Sequence, residues 1–540
     1  MLNLENTFAN PTAITNAGYE APKRFLILGL GESGVAMAKW CLRNGASVRF
    51  ADTRDQSKFT DTQNTWLEEL KFAGLKDIQF GPLVDDCLAD IDVIGISPGL
   101  SPLKEPTQSF LVKARKSRVD VWSEIEFFAR ALTALERMAL ARKSSYASTV
   151  LAITGTNGKT TTTALTGQLC ERAGKKVAVA GNISPAALEK LMSCLDQSDQ
   201  LEDMPDIWVL ELSSFQLVYT STLNATAATV LNLSQDHLDW HGDMSSYGDA
   251  KAKIFGDDTV CILNRDDPLV MGLLSEDQKA KRSIVTFGAN QPDEQGAFGI
   301  EHDLRAGEID WLVWAEIDED VELKPRRRRK SAVVEEDEPL RLKRLIPADA
   351  LRIRGRHNAL NALAALALAR AAHLPMNILL HGLRDYHGEP HRVQSIAIVN
   401  DVEYIDDSKG TNVGATVAAL NGLGNSAAGK RIWLIAGGDG KSQDFSPLRE
   451  PALRFVKGAF LIGQDAEKIA EALSEKVPCT NSVTLQAAVQ AVARQAQSGD
   501  LVLLSPACAS FDQFRDYVER AEVFFSEVEE LSMRLEGVQA

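Results

Sequence analysis

Long apolar runs are missing from this 540-residue sequence: no stretch reaches the roughly 18 residues that a membrane-crossing helix needs. The first residues, MLNLENTFANPTAITNAGYEAPK, also lack the basic start and apolar run of a secretory leader, so the expectation is an unexported protein without membrane insertion. Cysteine is sparse. Cys41, Cys87, Cys170, Cys194, Cys261, Cys479 and Cys508 form no CxxC pair and total an odd number, which fits reduced thiols in the cytoplasm. Positive charge is in short supply as well: 58 Lys and Arg against 74 Asp and Glu give a formal net charge of -16. A polyanion would meet a repulsive average field, so nucleic acid is not an expected partner. Aromatics make up only 6%, yet apolar residues reach 45%, and the length implies roughly two to four domains.

What the chain does have is alternation. After an expected polar tail over residues 1–21, RFLILGLGESGVAMAKWCLRNGASVRFAD reads as strand, glycine turn, helix and strand, and IDVIGISPGLS adds a strand ending in a turn. ARALTALERMALARKSSYAS looks helical before a Ser-rich linker, and TVLAIT then opens a second unit. KKVAVAGN, DIWVLELSS and AATVLNLS are apolar runs of strand length alternating with helical stretches, the pattern of buried parallel strands. Between about 285 and 350 the pattern turns polar. PRRRRKSAVVEEDEPLRLKR sets a basic run beside an acidic one and is expected as a charged surface insertion at about 321–344 rather than a nucleic-acid site. HNALNALAALALARAAH predicts an apolar helix, and a third unit follows from about Glu389, with RIWLIAGG and DLVLLSP as its clearest strands. The expected fold is α/β in three domains: residues 22–147, Rossmann-like; 148–388, a P-loop ATPase-like parallel sheet; and 389–540, again Rossmann-like.

Two nucleotide signatures compete. In TVLAITGTNGKTTTT a strand runs into Gly155, Thr156, Asn157, Gly158, Lys159, Thr160 and Thr161. Glycines let backbone amides approach phosphate, Lys159 brings a point charge, and the Thr160 hydroxyl suits Mg²⁺. The Walker pattern GxxxxGK[ST] would put glycine where Ile153 stands, so the loop is shorter than that of a generic switch NTPase. Upstream, Gly29, Gly31 and Gly34 spell GxGxxG after a strand, and Asp52 ends the next strand. Alone this suggests NAD, but UDP meets the same constraints, and so does a glycine turn with no ligand. An oxidoreductase has no use for a second, Mg²⁺-dependent phosphate site, which favours the phosphate loop as the guide. Glu211 ends an apolar strand, where a carboxylate either holds Mg²⁺ or is merely solvated. His237 and His241 have the i, i+4 spacing of a metal pair, and also of two turn histidines. Asn358 and Asn361 share one helix face and either read a nucleotide or bond within the fold.

Taken together, GTNGKTT from Gly155, GN at 181, LELSSFQL at 210, LNLSQDHLDWH at 231, YGDAKAKIF at 247, GRHNALNALAA at 355, PHR at 390, DDSKGTN at 406 and GGDGKSQDF at 437 resemble the Mur ligase family in order and spacing. LGLGESG and SPGLS near the start and LLSPACASFDQFRDY near the end are similar to the branch that adds D-glutamate. Folylpolyglutamate synthases share the phosphate loop and the HN helix but not the UDP-type first domain. The resemblance implies a monomeric cytoplasmic enzyme acting on UDP-N-acetylmuramoyl-L-alanine, D-glutamate and ATP through an acyl phosphate, with Mg²⁺ at two sites.

The resemblance also implies roles residue by residue. Lys159, His237 and Lys251 are catalytic, and Lys251, otherwise a solvated helix lysine like Lys253, would carry a CO₂-derived carbamate. Thr160, Glu211, His237 and Lys251 would serve metal. ATP falls to residues 155–161 with Asn358, Asn361, Arg392 and Asp407. The UDP substrate falls to Gly29, Leu30, Gly31, Asp52, Thr53, Arg54, Ser97, Pro98, Gly99, Asn182 and His237. D-glutamate falls to Lys409, Thr411, Lys441, Ser510 and Tyr517. The family commonly has phenylalanine at the Tyr517 position and glycine where Ala521 stands. Set against this are a ligase for another amino acid, an NAD(P) oxidoreductase built on Gly29 to Asp52, and a nucleotide-binding scaffold without catalysis.

Overall fold

The apolar runs become the strands of three sheets. The structure is a computed structural model and describes residues 2–9, 23–304, 309–317, 340–426, 432–441, 443–473 and 477–539. The first sheet holds β1 (Arg24–Leu28), β2 (Ser47–Asp52), β3 (Asp77–Phe80), β4 (Val93–Ile96) and β5 (Asp120–Trp122). They run parallel in the order β3-β2-β1-β4-β5, with a helix or turn segment between successive strands.

The central sheet holds β6 (Thr149–Thr154), β7 (Val177–Gly181), β8 (Ile207–Glu211), β9 (Ala227–Val230), β10 (Val260–Asn264), β11 (Ile284–Phe287), β12 (Phe298–Asp303), β13 (Ile309–Ile317) and β14 (Leu340–Pro347). Its order is β14-β13-β12-β11-β10-β9-β6-β8-β7. β8 is buried at all five positions, as an interior parallel strand must be when helices cover both faces. The third sheet has β15 (Gln394–Val399), β16 (Val402–Asp406), β17 (Ile432–Gly437), β18 (Val456–Ile462), β19 (Cys479–Val483) and β20 (Leu501–Leu504) in the order β15-β16-β20-β17-β18-β19. Among its described strands only β15 pairs antiparallel. The expected α/β architecture with three parallel-sheet units is therefore the observed one.

Two expectations are corrected. The stretch from 285 to 350 is not simply polar surface: β12, β13 and β14 pair antiparallel at the sheet's edge. The outermost of them, β14, alternates leucine with arginine and lysine along Leu340–Arg344, half-buried against exposed, and such a segment reads as polar when no partner strand is in view. The last residues of the expected insertion, 340–344, lie in β14, while 321–339 fall outside the described residues. Nor is the start of the chain all polar tail. Leu2 and Phe8 are buried, the Leu2 N–H donates to the Leu195 carbonyl at 3.0 Å, and the Phe8 ring packs 4.7 Å from that of Phe25.

One hydrophobic core runs without a break from the first sheet into the second, from Phe25 and Phe127 to Trp208 and Leu210. Glu126, fully buried on the helix Glu124–Arg142, stitches the seam. Its carboxylate accepts from the Ser221 and Thr222 amides at 2.7 and 2.9 Å and from Arg130 Nε at 2.8 Å, and the Arg130 guanidinium lies 3.8 Å from the Trp122 ring centroid. The third sheet has cores of its own.

Candidate active site

β6 delivers residues 155–158 to the carboxyl edge of the central sheet, where open parallel sheets collect ligands. Gly158 adopts φ +82, and a Cβ there would sit 2.4 Å from Asn361 Oδ1, so the position demands glycine on two grounds. The helix Lys159–Arg172 starts immediately afterwards and leaves its first amides free for phosphate. Lys159 Nζ is held by the Gly155 and Thr156 carbonyls at 2.9 and 2.8 Å. Thr156 Oγ1 donates to the Ser234 carbonyl and lies 3.1 Å from the Tyr247 hydroxyl. The Asn157 amide donates to Asn232 Oδ1 at 2.8 Å, and the Thr161 carbonyl accepts from the Tyr386 hydroxyl at 3.4 Å.

Lys251 lies beneath the same loop and is 1% exposed, not solvated. Its Nζ donates to Thr154 Oγ1 at 3.1 Å and the Gly155 carbonyl at 2.9 Å, 4.8 Å from the Tyr247 ring centroid. Burial, reinforced by Lys159, pushes its pKa well down and favours the neutral amine. Burial lowers Lys159 too. Glu211 is 2% exposed at the end of β8; its Oε1 accepts from Asn182 Nδ2 at 2.9 Å, while the buried Oε2 has no hydrogen-bond partner. A spare buried carboxylate oxygen beside a threonine-bearing phosphate loop fits a hard divalent cation such as Mg²⁺.

His237 adopts φ +54 and opens the short helix Leu238–His241. Its Nε2 lies 3.5 Å from Asp236 Oδ2. Burial lowers its pKa, Asp236 opposes that, and Lys159, Lys441 and Lys251 push it further down. His241 Nε2 is 2.9 Å from Ser214 Oγ among Trp240, Tyr247 and Phe215, whose ring also meets that of His237, and burial brings the pKa of His241 to about 4. Among the described residues no cluster of three His, Cys, Asp or Glu side chains could hold a metal by itself.

On the first sheet, the glycine fingerprint closes on Asp52. A Cβ on Gly34 would lie 1.9 Å from the Gly29 carbonyl oxygen and one on Gly29 2.9 Å from Ser97 Cβ, whereas Gly31 has nothing within 4 Å. Asp52 Oδ2 accepts from the Leu30 amide at 2.7 Å and Arg54 Nη2 at 2.8 Å; these bonds outweigh its burial and lower its pKa. Ser97 Oγ donates to the Gly29 carbonyl at 2.9 Å, and Pro98 and Gly99 turn the chain after β4. Thr53 follows β2 in a bend beside this knot. Glu32, in the same loop, takes hydrogen bonds from Ser184 Oγ and the Ala186 amide, fixing the first domain's turn beside the Asn182 loop of the second.

The third unit reaches across. Arg392 Nη2 donates to Thr160 Oγ1 at 2.8 Å. Arg392 and Asn358 line one cavity of about 370 Å³ with His387, Glu389 and Glu403. Asn361 Nδ2 donates to Asn358 Oδ1 at 3.1 Å, and Asn358 Nδ2 to the Arg354 carbonyl at 2.8 Å, so one Asn358 amide bond is local. Buried Asp407 accepts from Ser505 Oγ at 2.7 Å, and burial raises its pKa to about 7. Lys409 lies 5.3 Å from the Tyr517 ring centroid; burial and then Arg392 bring it down to about 8, while Glu211 pulls the other way. Lys441 holds φ +48 with its amide on Asp439, Thr411 follows Lys409 in the same turn, and Ser510 is buried. Ala521 is buried at the position where glycine was expected.

Comparison with known proteins now decides the family. Residues 23–121 match the Mur ligase MurD-like N-terminal domain, 153–369 the Mur ligase middle domain, and 391–508 the Mur ligase glutamate ligase domain. Proteins named UDP-N-acetylmuramoylalanine--D-glutamate ligase from Cupriavidus pinatubonensis and Ralstonia nicotianae are each 54% identical, over 94% of this chain and 97% of theirs. The counterpart in Burkholderia pseudomallei is 53% identical with the same coverage. The chain belongs to the Mur ligase family. Solved structures agree at the level of fold: MurF ligase from Thermotoga maritima in complex with ADP matches with TM-score 0.56 at 18% identity, covering 94% of this chain and 98% of that one. MurF from Acinetobacter baumannii gives 0.55 at 16% identity, with 97% and 100% covered.

Four residues of this Mur ligase escaped the sequence reading. Tyr247 stands four residues before Lys251 and so on its face of the helix Met244–Ala252, a spacing that could have flagged it. Asp236 and Asn412 sit inside quoted motifs but show their use only in three dimensions, where Asn412 Nδ2 approaches Asp236 Oδ2 at 3.4 Å. Arg520 is 1% exposed and donates to the Ser408 and Cys508 carbonyls at 2.7 and 3.2 Å, pinning the two loops that carry Lys409 and Ser510. Nothing in its local sequence marks it.

Proposed function

We infer that this Mur ligase joins D-glutamate to UDP-N-acetylmuramoyl-L-alanine in an ATP-dependent, ADP-forming reaction of peptidoglycan precursor synthesis. The structural observation that carries the reading is the gathering of basic side chains at one loop: Lys159 and Lys251 both donate to the Gly155 carbonyl, and Arg392 of the third domain donates to Thr160, with Glu211 and the Asp236–His237 pair nearby. Three anionic reactants must meet, and basic side chains drawn from two domains suit that task.

A carboxylate is too poor an electrophile for an amine. An oxygen of the alanyl carboxylate attacks the γ-phosphorus, the bond to the β,γ-bridging oxygen breaks, and ADP leaves. The D-glutamate amine then attacks the acyl carbon, loses a proton, and phosphate departs. In this proposal Lys159 and the amides of residues 155–161 hold the β- and γ-phosphates, Arg392 reaches them from the third domain, and Asn358, Asn361 and Asp407 receive the nucleoside. The knot of Gly29, Leu30, Gly31, Asp52, Thr53 and Arg54, with Ser97, Pro98 and Gly99, takes UDP, and Asn182 and His237 orient the sugar-alanine arm. Lys409 and Lys441 meet the two carboxylates of D-glutamate beside Thr411, Ser510 and Tyr517. Mg²⁺, when bound through Thr160, Glu211, His237 and Lys251, would neutralise charge that develops on the transferred phosphoryl group.

Lys251 is suited to carbamylation because its amine is buried and disposed to be neutral: Nζ attacks CO₂, an N–C bond forms, and the displaced proton leaves a carbamate anion. The scattered free thiols fit a cytoplasmic home, and we take the enzyme to act as a monomer. Phosphate release measured with each substrate omitted in turn should fall to background every time. Release that persists without D-glutamate, or that is faster with L-lysine or L-alanine, would overturn the assignment.

A further inference from the structure

A cavity of about 670 Å³ lies away from the phosphate loop, along β5 at the edge of the first sheet. Its walls come from both domains: Leu111, Val119 and Val121 from the first, and Val218 and Tyr219 from the second. Three basic side chains join them, Arg115, Arg118 and Lys253, against a single carboxylate, Asp120. Lys253 Nζ is tied to the Val218 carbonyl. No described carboxylate lies within ion-pair distance of Arg115 or Arg118, although the protein carries an excess of acidic residues overall. The Tyr219 hydroxyl, whose pKa burial raises to about 12, stays a neutral hydrogen-bonding group.

Arg115 and Arg118 are exposed side chains that line a partly apolar hollow without a carboxylate at ion-pair distance, so an anionic end group seated there would meet net positive charge, and the hollow is within the size range of small-molecule sites. We propose that this cavity binds an amphiphilic anion, an aryl or acyl body ending in one carboxylate, phosphate or sulfonate group, with Arg115, Arg118 and Lys253 on its charged end. None of these residues has a role in the ligation described above. The site nevertheless touches its machinery at two points. Lys253 stands two residues beyond Lys251, and Val218 ends the short helix that begins just after Glu211. An occupant bridging Arg115 and Lys253 would therefore tie the first domain to the segment carrying Lys251, which makes this a place for regulation by a small molecule.

The test is a fluorescence titration of the full chain with 8-anilino-1-naphthalenesulfonate. One saturable site is expected, unaffected by a saturating non-hydrolysable ATP analogue, at least tenfold weaker in the Arg115→Glu, Arg118→Glu double variant, and at least tenfold weaker for the uncharged N-phenyl-1-naphthylamine. Thermal melts and D-glutamate-dependent phosphate release confirm that the double variant is folded. Equal binding by that variant, equal binding of the neutral probe, displacement by the ATP analogue, or no saturable binding would each overturn the proposal.

Discussion

Asn412, just before the helix Val413–Ser426 of the third domain, and Asn157 of the phosphate loop exchange side-chain amide hydrogen bonds of 3.0 and 3.2 Å. The same Asn412 caps its own helix through the Ala415 amide at 2.9 Å. The pair joins the third domain to the loop proposed to hold the triphosphate.

Asn412→Ala should therefore weaken ATP more than it weakens the UDP substrate. An amide bond contributes about 1 kcal/mol, so the KM for ATP is expected to rise about fivefold, and a double-mutant cycle with Asn157→Ala should show coupling of similar size. Steady-state kinetics with each substrate varied in turn provide the check, and additive single effects would exclude the link.

Lys251→Ala should lower kcat by a factor on the order of 10² to 10³, the usual loss when one electrostatic group is removed at a reacting centre. Acetate or formate should restore part of that rate by filling the space with a carboxylate. An alanine variant with full activity, or one that no small acid improves, would remove the carbamate from the mechanism.

Glu124 offers a test by pH. It is fully buried, its Oε1 accepts from the Leu188 amide at 2.5 Å, its Oε2 is unpaired, and burial raises its pKa from 4.5 to about 7. A carboxyl raised in the folded state stabilises fully below its unfolded value near 4.5 and loses that contribution as pH climbs through about 7. The loss amounts to at most ~3 kcal/mol. Glu124→Gln keeps an acceptor without the titration, so its Tm relative to the unmodified protein should rise between pH 5 and pH 8; a difference independent of pH would show that Glu124 does not titrate there.

Gly31→Ala and Gly34→Ala should part company. A methyl at Gly34 collides with the Gly29 carbonyl, so that variant should lose several degrees of Tm, whereas at Gly31 it meets no protein atom. Gly31→Ala should melt normally and yet bind UDP at least about tenfold more weakly, because the second glycine of such a turn admits the diphosphate. Unaltered UDP affinity in calorimetric titration would mean that the turn is structural only.

These contrasts show which parts of the molecule the sequence makes legible. Parallel strands were readable because each is a short apolar run closed by a turn, and the phosphate and GxGxxG loops because glycine positions carry a steric requirement. β13 and β14 were not, since a half-solvated antiparallel strand announces itself only by its partner. Local spacing left His237 and His241 open between two readings, because it does not show that His237 lies beside Asp236 and His241 on Ser214, with both rings against Phe215. Lys251 looked like a surface residue by itself, and its burial depends on β6 and the loop after it, which lie about a hundred residues earlier in the chain. Asn412 and Arg520 were silent because their partners come from another domain or from loops distant in the chain.

The core shared by the first two sheets has a further consequence, for how the molecule comes apart. One apolar cluster draws residues from both of the first two sheets, from Phe25 to Leu274, with Glu126 buried in its seam, while the third sheet keeps cores of its own. Loss of either of the first two sheets would expose the interior of the other, so they should melt as one cooperative unit. Heat should therefore release the third domain in a transition of its own, and ATP, if held as proposed between the loop at residues 155–161 and Arg392, should draw the two transitions together in calorimetry.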